Sequence, residues 1–181
     1  MDKTKEILRQ RAVLAAKKAE EERSLEGMEL IRFRVKKEVY ALEASLVSEV
    51  HAYITPTSVP YMPPYIEGIV NIRGRFVSVV DLGRFLELEQ GEEEGARFLM
   101  FLADESIEFG VAVDEILEEI RLPRGIIRPI PQGFVPARKE LIAGVTEDGT
   151  VILDGGKLMA DPAMTVYQEI ATTFKGRKNV T

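Results

Sequence analysis

The hydrophobic period changes once, near residue 29. Residues 1–24 contain neither Gly nor Pro and are rich in Ala, Lys, Arg, Glu and Leu, with Leu8, Ala12, Ala15, Ala16 and Ala19 on one helical face. Alanine buries little area, so residues 1–28 read as a solvated helical arm, interrupted at Ser24 and Gly27. Ile31, Phe33 and Val35 then alternate with Arg32, Arg34 and Lys36, which makes a half-buried strand. Lys36, Lys37 and Glu38 turn the chain into a second strand over residues 39–42. Pro56, Pro60, Pro63 and Pro64 punctuate an irregular crossover, and residues 69–72 and 76–80 form a hairpin turning at Arg73-Gly74. An acidic loop over residues 90–95 precedes a hairpin of residues 98–102 and 107–113. A second crossover holding Pro123, Pro129, Pro131 and Pro136 leads to two last short strands, and residues 161–181 form a C-terminal tail expected to be partly helical. Short strands, frequent turns and proline-rich crossovers predict small barrels rather than a parallel sheet.

The two halves repeat. Leu46-Val47-Ser48-Glu49-Val50 answers to Ile116-Leu117-Glu118-Glu119-Ile120, offset by 70 residues, which pairs Glu49 with Glu119. Ile66-Glu67-Gly68-Ile69 answers to Ile142-Ala143-Gly144-Val145 at 76, and the six residues from Asp81 answer to those from Asp154 at 73. Drifting offsets are the mark of a duplicated module with variable loops. The repeated Gly68 and Gly144 permit a bend or a close backbone approach. Asp81 and Asp154, each ending an apolar strand, are placed to cap a short helix. Those helices carry Phe85-Leu86 and Leu158-Met159 as plugs for two barrels, each too small to be stable without the other.

Composition removes most chemistry. The 181 residues include no cysteine and a single histidine, His51, which excludes thiol nucleophiles, disulfides and multi-histidine metal sites. His51 alternates with Val50 and Ala52 and reads as a surface strand residue without an acid or thiol partner. A net charge of −6 opposes nucleic acid and acidic membranes. No run approaches the ~20 apolar residues of a membrane span, so a cytoplasmic protein is expected. The remaining catalytic reading pairs Asp81 with Asp154 as an aspartic-type hydrolase. That chemistry needs the two carboxylates about 3 Å apart. Leu82 and Gly155 stand where that mechanism's family has Ser or Thr, so capping is the preferred role.

Residues 65–82, Tyr-Ile-Glu-Gly-Ile-Val-Asn-Ile-Arg-Gly-Arg-Phe-Val-Ser-Val-Val-Asp-Leu, resemble the signature of the CheW-like domain, and the likeness runs from about residue 29 to 159 across both halves. The resemblance implies an all-β fold of two intertwined five-stranded SH3-like barrels related by a pseudo-two-fold axis. It also implies a non-enzymatic adaptor, without cofactor or metal, that couples chemoreceptors to a histidine kinase. The implied partners are the regulatory domain of the kinase CheA and the cytoplasmic tip of the receptors, with no nucleic acid and no direct membrane insertion. By the same resemblance Val47, Glu49, Glu67 and Arg73 fall at kinase-binding positions, although Glu67 stands where the family is often basic. Val47, Phe98, Leu99 and Ile116 match a receptor groove between the barrels. The alternative is a two-barrel interaction adaptor in a two-component pathway other than chemotaxis.

Overall fold

The computed structural model describes residues 27–89, 96–133 and 136–164. The expected arm, apart from Gly27 and Met28, lies outside them, as do the acidic loop and all of the tail beyond Met164. Ten strands are arranged as β1 (Gly27–Val35), β2 (Glu38–Glu43), β3 (Val47–Ala52), β4 (Ile66–Ile72), β5 (Arg75–Asp81), β6 (Phe98–Ala103), β7 (Glu108–Val113), β8 (Glu115–Pro123), β9 (Ile142–Val145) and β10 (Val151–Leu153). Two short helices, α1 (Leu82–Phe85) and α2 (Gly155–Met159), follow β5 and β10.

The sheet orders are β8-β1-β2-β10-β9 and β3-β6-β7-β5-β4. Replacing each strand of the first half by its counterpart five places later converts one order into the other. The polarity of every pairing is conserved too, including the parallel contacts β2–β10 and β7–β5. Each barrel therefore takes a hairpin from one half of the chain and three strands from the other. We call the barrel built on β1–β2 barrel A and that on β6–β7 barrel B. This exchange is what intertwines them.

Alternation along the strands divides the apolar residues among three cores. The largest lies between the barrels and gathers Phe33, Leu42, Met100, Leu102 and Phe109 with the plugs Phe85, Leu86, Leu158 and Met159. Barrel B encloses Val70, Ile72, Val77, Val79, Leu99, Phe101 and Ala112, whereas barrel A encloses only Leu30, Ala41 and Ile152 in full. The shared core gives each barrel more buried apolar surface than its own interior holds, since burial grows with the size of the packed unit.

The repeated residues do matching work. Asp81 Oδ1 accepts the Arg84 amide at 2.9 Å, and Asp154 Oδ1 accepts that of Lys157 at 3.0 Å. Both carboxylates thus cap their own helices, and each also meets its own helix's basic side chain at 3.2 Å. Each carboxylate is engaged by its own helix, which supports capping over the hydrolase pairing. A Cβ at Gly68 would lie 2.2 Å from the Thr57 carbonyl oxygen, and one at Gly144 2.5 Å from that of Arg128, because a crossover strand bridges each barrel there.

Two expectations need correction. Val47 faces Leu102 and Ile116 faces Phe33, while Phe33 and Leu102 face Tyr40 and Phe109 in their hairpins. The offset here is therefore 69, so the counterpart of Glu49 is Glu118, not Glu119. A bulge in each of β3 and β8 shifts side-chain faces by one residue, which apolar matching alone cannot register. The second concerns Arg32, which a half-buried strand would leave on its wet side. Leu30 and Arg32 share the β1 face turned into barrel A, and the Arg32 side chain is only 20% exposed.

Candidate interaction site

Arg73 and Gly74 form the tight turn between β4 and β5, both with positive φ (50° and 86°), the geometry of a type I′ hairpin. Asn71 Oδ1 accepts the Gly74 amide at 2.9 Å and fixes the turn from within. The Arg73 residue is exposed and makes no ion pair with another described residue. Its guanidinium lies at the tip of barrel B, unpaired among the described residues.

The structure brings Glu49 to the same end of that barrel. Glu49, on the edge strand β3, pairs with Arg75, two residues beyond Arg73, and Arg75 also pairs with Glu108 on β7. His51 Nε2 lies 2.8 Å from the other Glu49 oxygen, and its ring stands edge-on to Phe101. His51 thus has an acid partner, contrary to the sequence reading. The hydrogen bond from His51, followed by Arg75, holds the Glu49 carboxyl below the ordinary glutamate value. Because Glu49 ionises more readily folded than unfolded, its pairing stabilises the fold above the ordinary range and is lost as pH falls through the lowered value. His51→Phe should move the Glu49 titration midpoint back up, as read by carboxyl-carbon NMR. An unchanged midpoint would contradict this arrangement.

Glu67 is not part of this cluster. It lies six residues from Arg73 along β4 and its turn, roughly 20 Å at strand spacing. Its carboxyl accepts the Tyr53 hydroxyl at 3.0 Å; burial pushes Glu67 up, and burial together with Glu67 pushes Tyr53 up to about 12.

The apolar positions divide. Val47, Phe98 and Ile116 are half-buried and pack against the core between the barrels, Val47 and Ile116 at equivalent points. Leu99 is a correction: it is 0% exposed inside barrel B among Val77, Val79 and Phe101, so it offers no surface to a partner. Neighbours on a strand point to opposite faces, and both faces of β6 are apolar, so alternation alone does not tell which one faces the junction. Sequence reasoning missed Arg75 as the partner that Glu49 shares with Glu108. The only signal, a basic residue 26 positions from one glutamate and 33 from the other, has no meaning without the pairing of strands.

Residues 29–163 match the model of the CheW-like domain. The chemotaxis protein CheW of Bacillus subtilis (strain 168) is 33% identical over 107 residues, covering 59% of this chain and 69% of its own. The CheW of Treponema pallidum (strain Nichols) is 27% identical over 143 residues, covering 75% and 84%. Among solved structures, the scaffolding protein TtCheW from Thermoanaerobacter tengcongensis covers 71% of this chain and 89% of its own with a TM-score of 0.61 at 24% identity, a likeness of fold.

Proposed function

The chain belongs to the CheW-like domain family, and from that membership we propose that it is a non-enzymatic adaptor coupling chemoreceptors to the histidine kinase CheA. The observation that carries the reading is the pairing of two unlike surfaces on one frame. A charged tip, with Arg73 free and Glu49 held close by through Arg75, suits the kinase's regulatory domain. An apolar junction, with Val47, Phe98 and Ile116 half-buried at the central core, suits the apolar helical tip of a receptor. Val47 belongs to both surfaces, since it precedes Glu49 on β3 and packs on the shared core. Glu67 gives the kinase surface a separate acidic point. Coupling is then differential binding: a receptor state that favours one arrangement of the junction biases the kinase held at the tip. No helix of the described residues is long and apolar enough to cross a membrane. On the family reading, the adaptor works in the cytoplasm and meets the membrane through its receptors.

Phe98 supplies the test. Phe98→Ala should leave a folded protein with unchanged affinity for the CheA regulatory domain and receptor binding weakened roughly tenfold, the effect of losing one interfacial aromatic. Thermal melting and two binding measurements on the same variant read all three. A stable variant with undiminished receptor affinity would refute the receptor surface at Phe98.

A further inference from the structure

The pseudo-symmetry supplies an internal control for one strand face. At the offset of 69, β3 of barrel B answers to β8 of barrel A, so Val50 stands where Glu119 does and Ala52 where Arg121 does. Phe98, which faces Ala52, answers in the same way to Glu29, which faces Arg121. In barrel A this outward face is charged and wet, with Glu29, Glu119 and Arg121 all exposed. The other face of β8 carries Ile120 and Leu122 against the barrel core. That is the ordinary division of a strand with one covered face.

Barrel B reverses it. Glu49 and His51, opposite Phe101 and Leu99, take the barrel side of β3 and are half-buried. Val50 and Ala52, opposite Met100 and Phe98, take the outward side and are exposed. Tyr53 packs on the barrel B core, and Ile54 beyond it continues the outward row. Val50 is 40% exposed and Ile54 42%, two of only four large apolar side chains so exposed among the described residues. The charged copy in barrel A shows that the fold itself does not need apolar side chains here. An apolar row kept in water at such a point marks a surface for a partner.

Three features narrow the partner. The row is continuous with the junction, because it starts beside Val47 on the same strand and Ala52 faces Phe98. It carries no charge, unlike the tip that holds Arg73. Val50 and Ile54 are about 13 Å apart at strand spacing, close to the roughly 11 Å between positions i and i+7 of an apolar helical stripe. An added strand would pair with the edge of β3 and leave this face bare, so the cover must lie across the side chains.

We infer that an amphipathic helix of the receptor tip lies along β3, with its apolar stripe on Val50, Ala52 and Ile54 beside Phe98. This surface rests on the receptor reading of the junction and carries it from the half-buried rim onto an exposed strand.

The test uses the full chain, a soluble cytoplasmic hairpin of a chemoreceptor and the CheA regulatory domain. In methyl-resolved NMR of the parent protein, the hairpin should shift Val50, Ala52 and Ile54 saturably. The double variant Val50→Glu, Ala52→Arg installs the pair that barrel A carries at equivalent points, so its melting should match the parent's. It should bind the hairpin at least about tenfold more weakly, because charges would be buried against an apolar stripe, and bind the kinase domain as before. A parent protein that does not bind the hairpin overturns the receptor reading and this surface with it. Binding without shifts at these three methyl sites, or a double variant with undiminished hairpin affinity, overturns this surface alone and leaves the receptor reading to Phe98→Ala. Kinase affinity lost in the double variant would give the row to the kinase. A dimer of the parent that the double variant abolishes would give it to a second copy of the chain. Either result overturns the assignment. If the double variant does not fold, the titration of the parent protein still decides the location.

Discussion

Gly68→Ala should lower the stability of the protein by about 3–5 kcal/mol, as measured by urea unfolding, the combined scale of a strained backbone and a steric overlap. Two causes act together. Gly68 sits at φ +145°, where a side chain is rarely tolerated, and its Cβ would meet the backbone carbonyl of Thr57 at 2.2 Å. Backbone of a bonded bridge cannot step aside, since Thr57 exchanges both its hydrogen bonds with Ile69 at 2.8 and 2.9 Å. Gly144→Ala should cost less. Its φ lies outside the left-handed region, and one of its two close neighbours is a side-chain atom, Ile127 Cγ2, rather than backbone. A loss at Gly144 equal to that at Gly68 would show that overlap alone, without the backbone conformation, sets the cost.

The second large effect is on binding. Arg73→Glu should weaken the complex with the CheA regulatory domain by roughly 10–100-fold in calorimetry, the usual result of reversing a charge within an interface. Folding should be unchanged within about 0.5 kcal/mol, because Arg73 is exposed and its turn is held by Asn71 and Gly74. Arg73→Gly separates charge from shape: it relaxes the positive φ at that position and removes the guanidinium without adding a carboxylate. It should bind with intermediate affinity. An Arg73→Glu variant that binds the kinase as well as the parent would remove the tip of barrel B from the kinase surface.

These two residues also show how far local reading reaches. The Asn-Ile-Arg-Gly turn was legible because its parts lie within four residues: Asn71 bonds Gly74, and the turn needs positive φ where Gly stands. The helix caps at Asp81 and Asp154 were legible for the same reason, each bonding an amide three residues ahead. The ion-pair cluster was not. Glu49, Arg75 and Glu108 come from three strands, and His51 is joined to them only by sharing an edge with Glu49.

Most strands, their hairpins, the duplication and the capped plugs are readable along the chain, because period-two alternation, turn chemistry and capping act over a few residues. Tertiary structure decided the rest. It chose which hairpin completes which barrel, since each half of the chain carries the same set of strands and pairing within a half would satisfy the same local pattern. It also decided which face of β6 meets the shared core, sending Phe98 to the junction and Leu99 into barrel B, and it turned Arg32 inward. Alternation separates a strand into two faces but does not say what covers each one. That is settled only when the second barrel, itself assembled from both halves of the chain, supplies the apolar surface against which one face is buried.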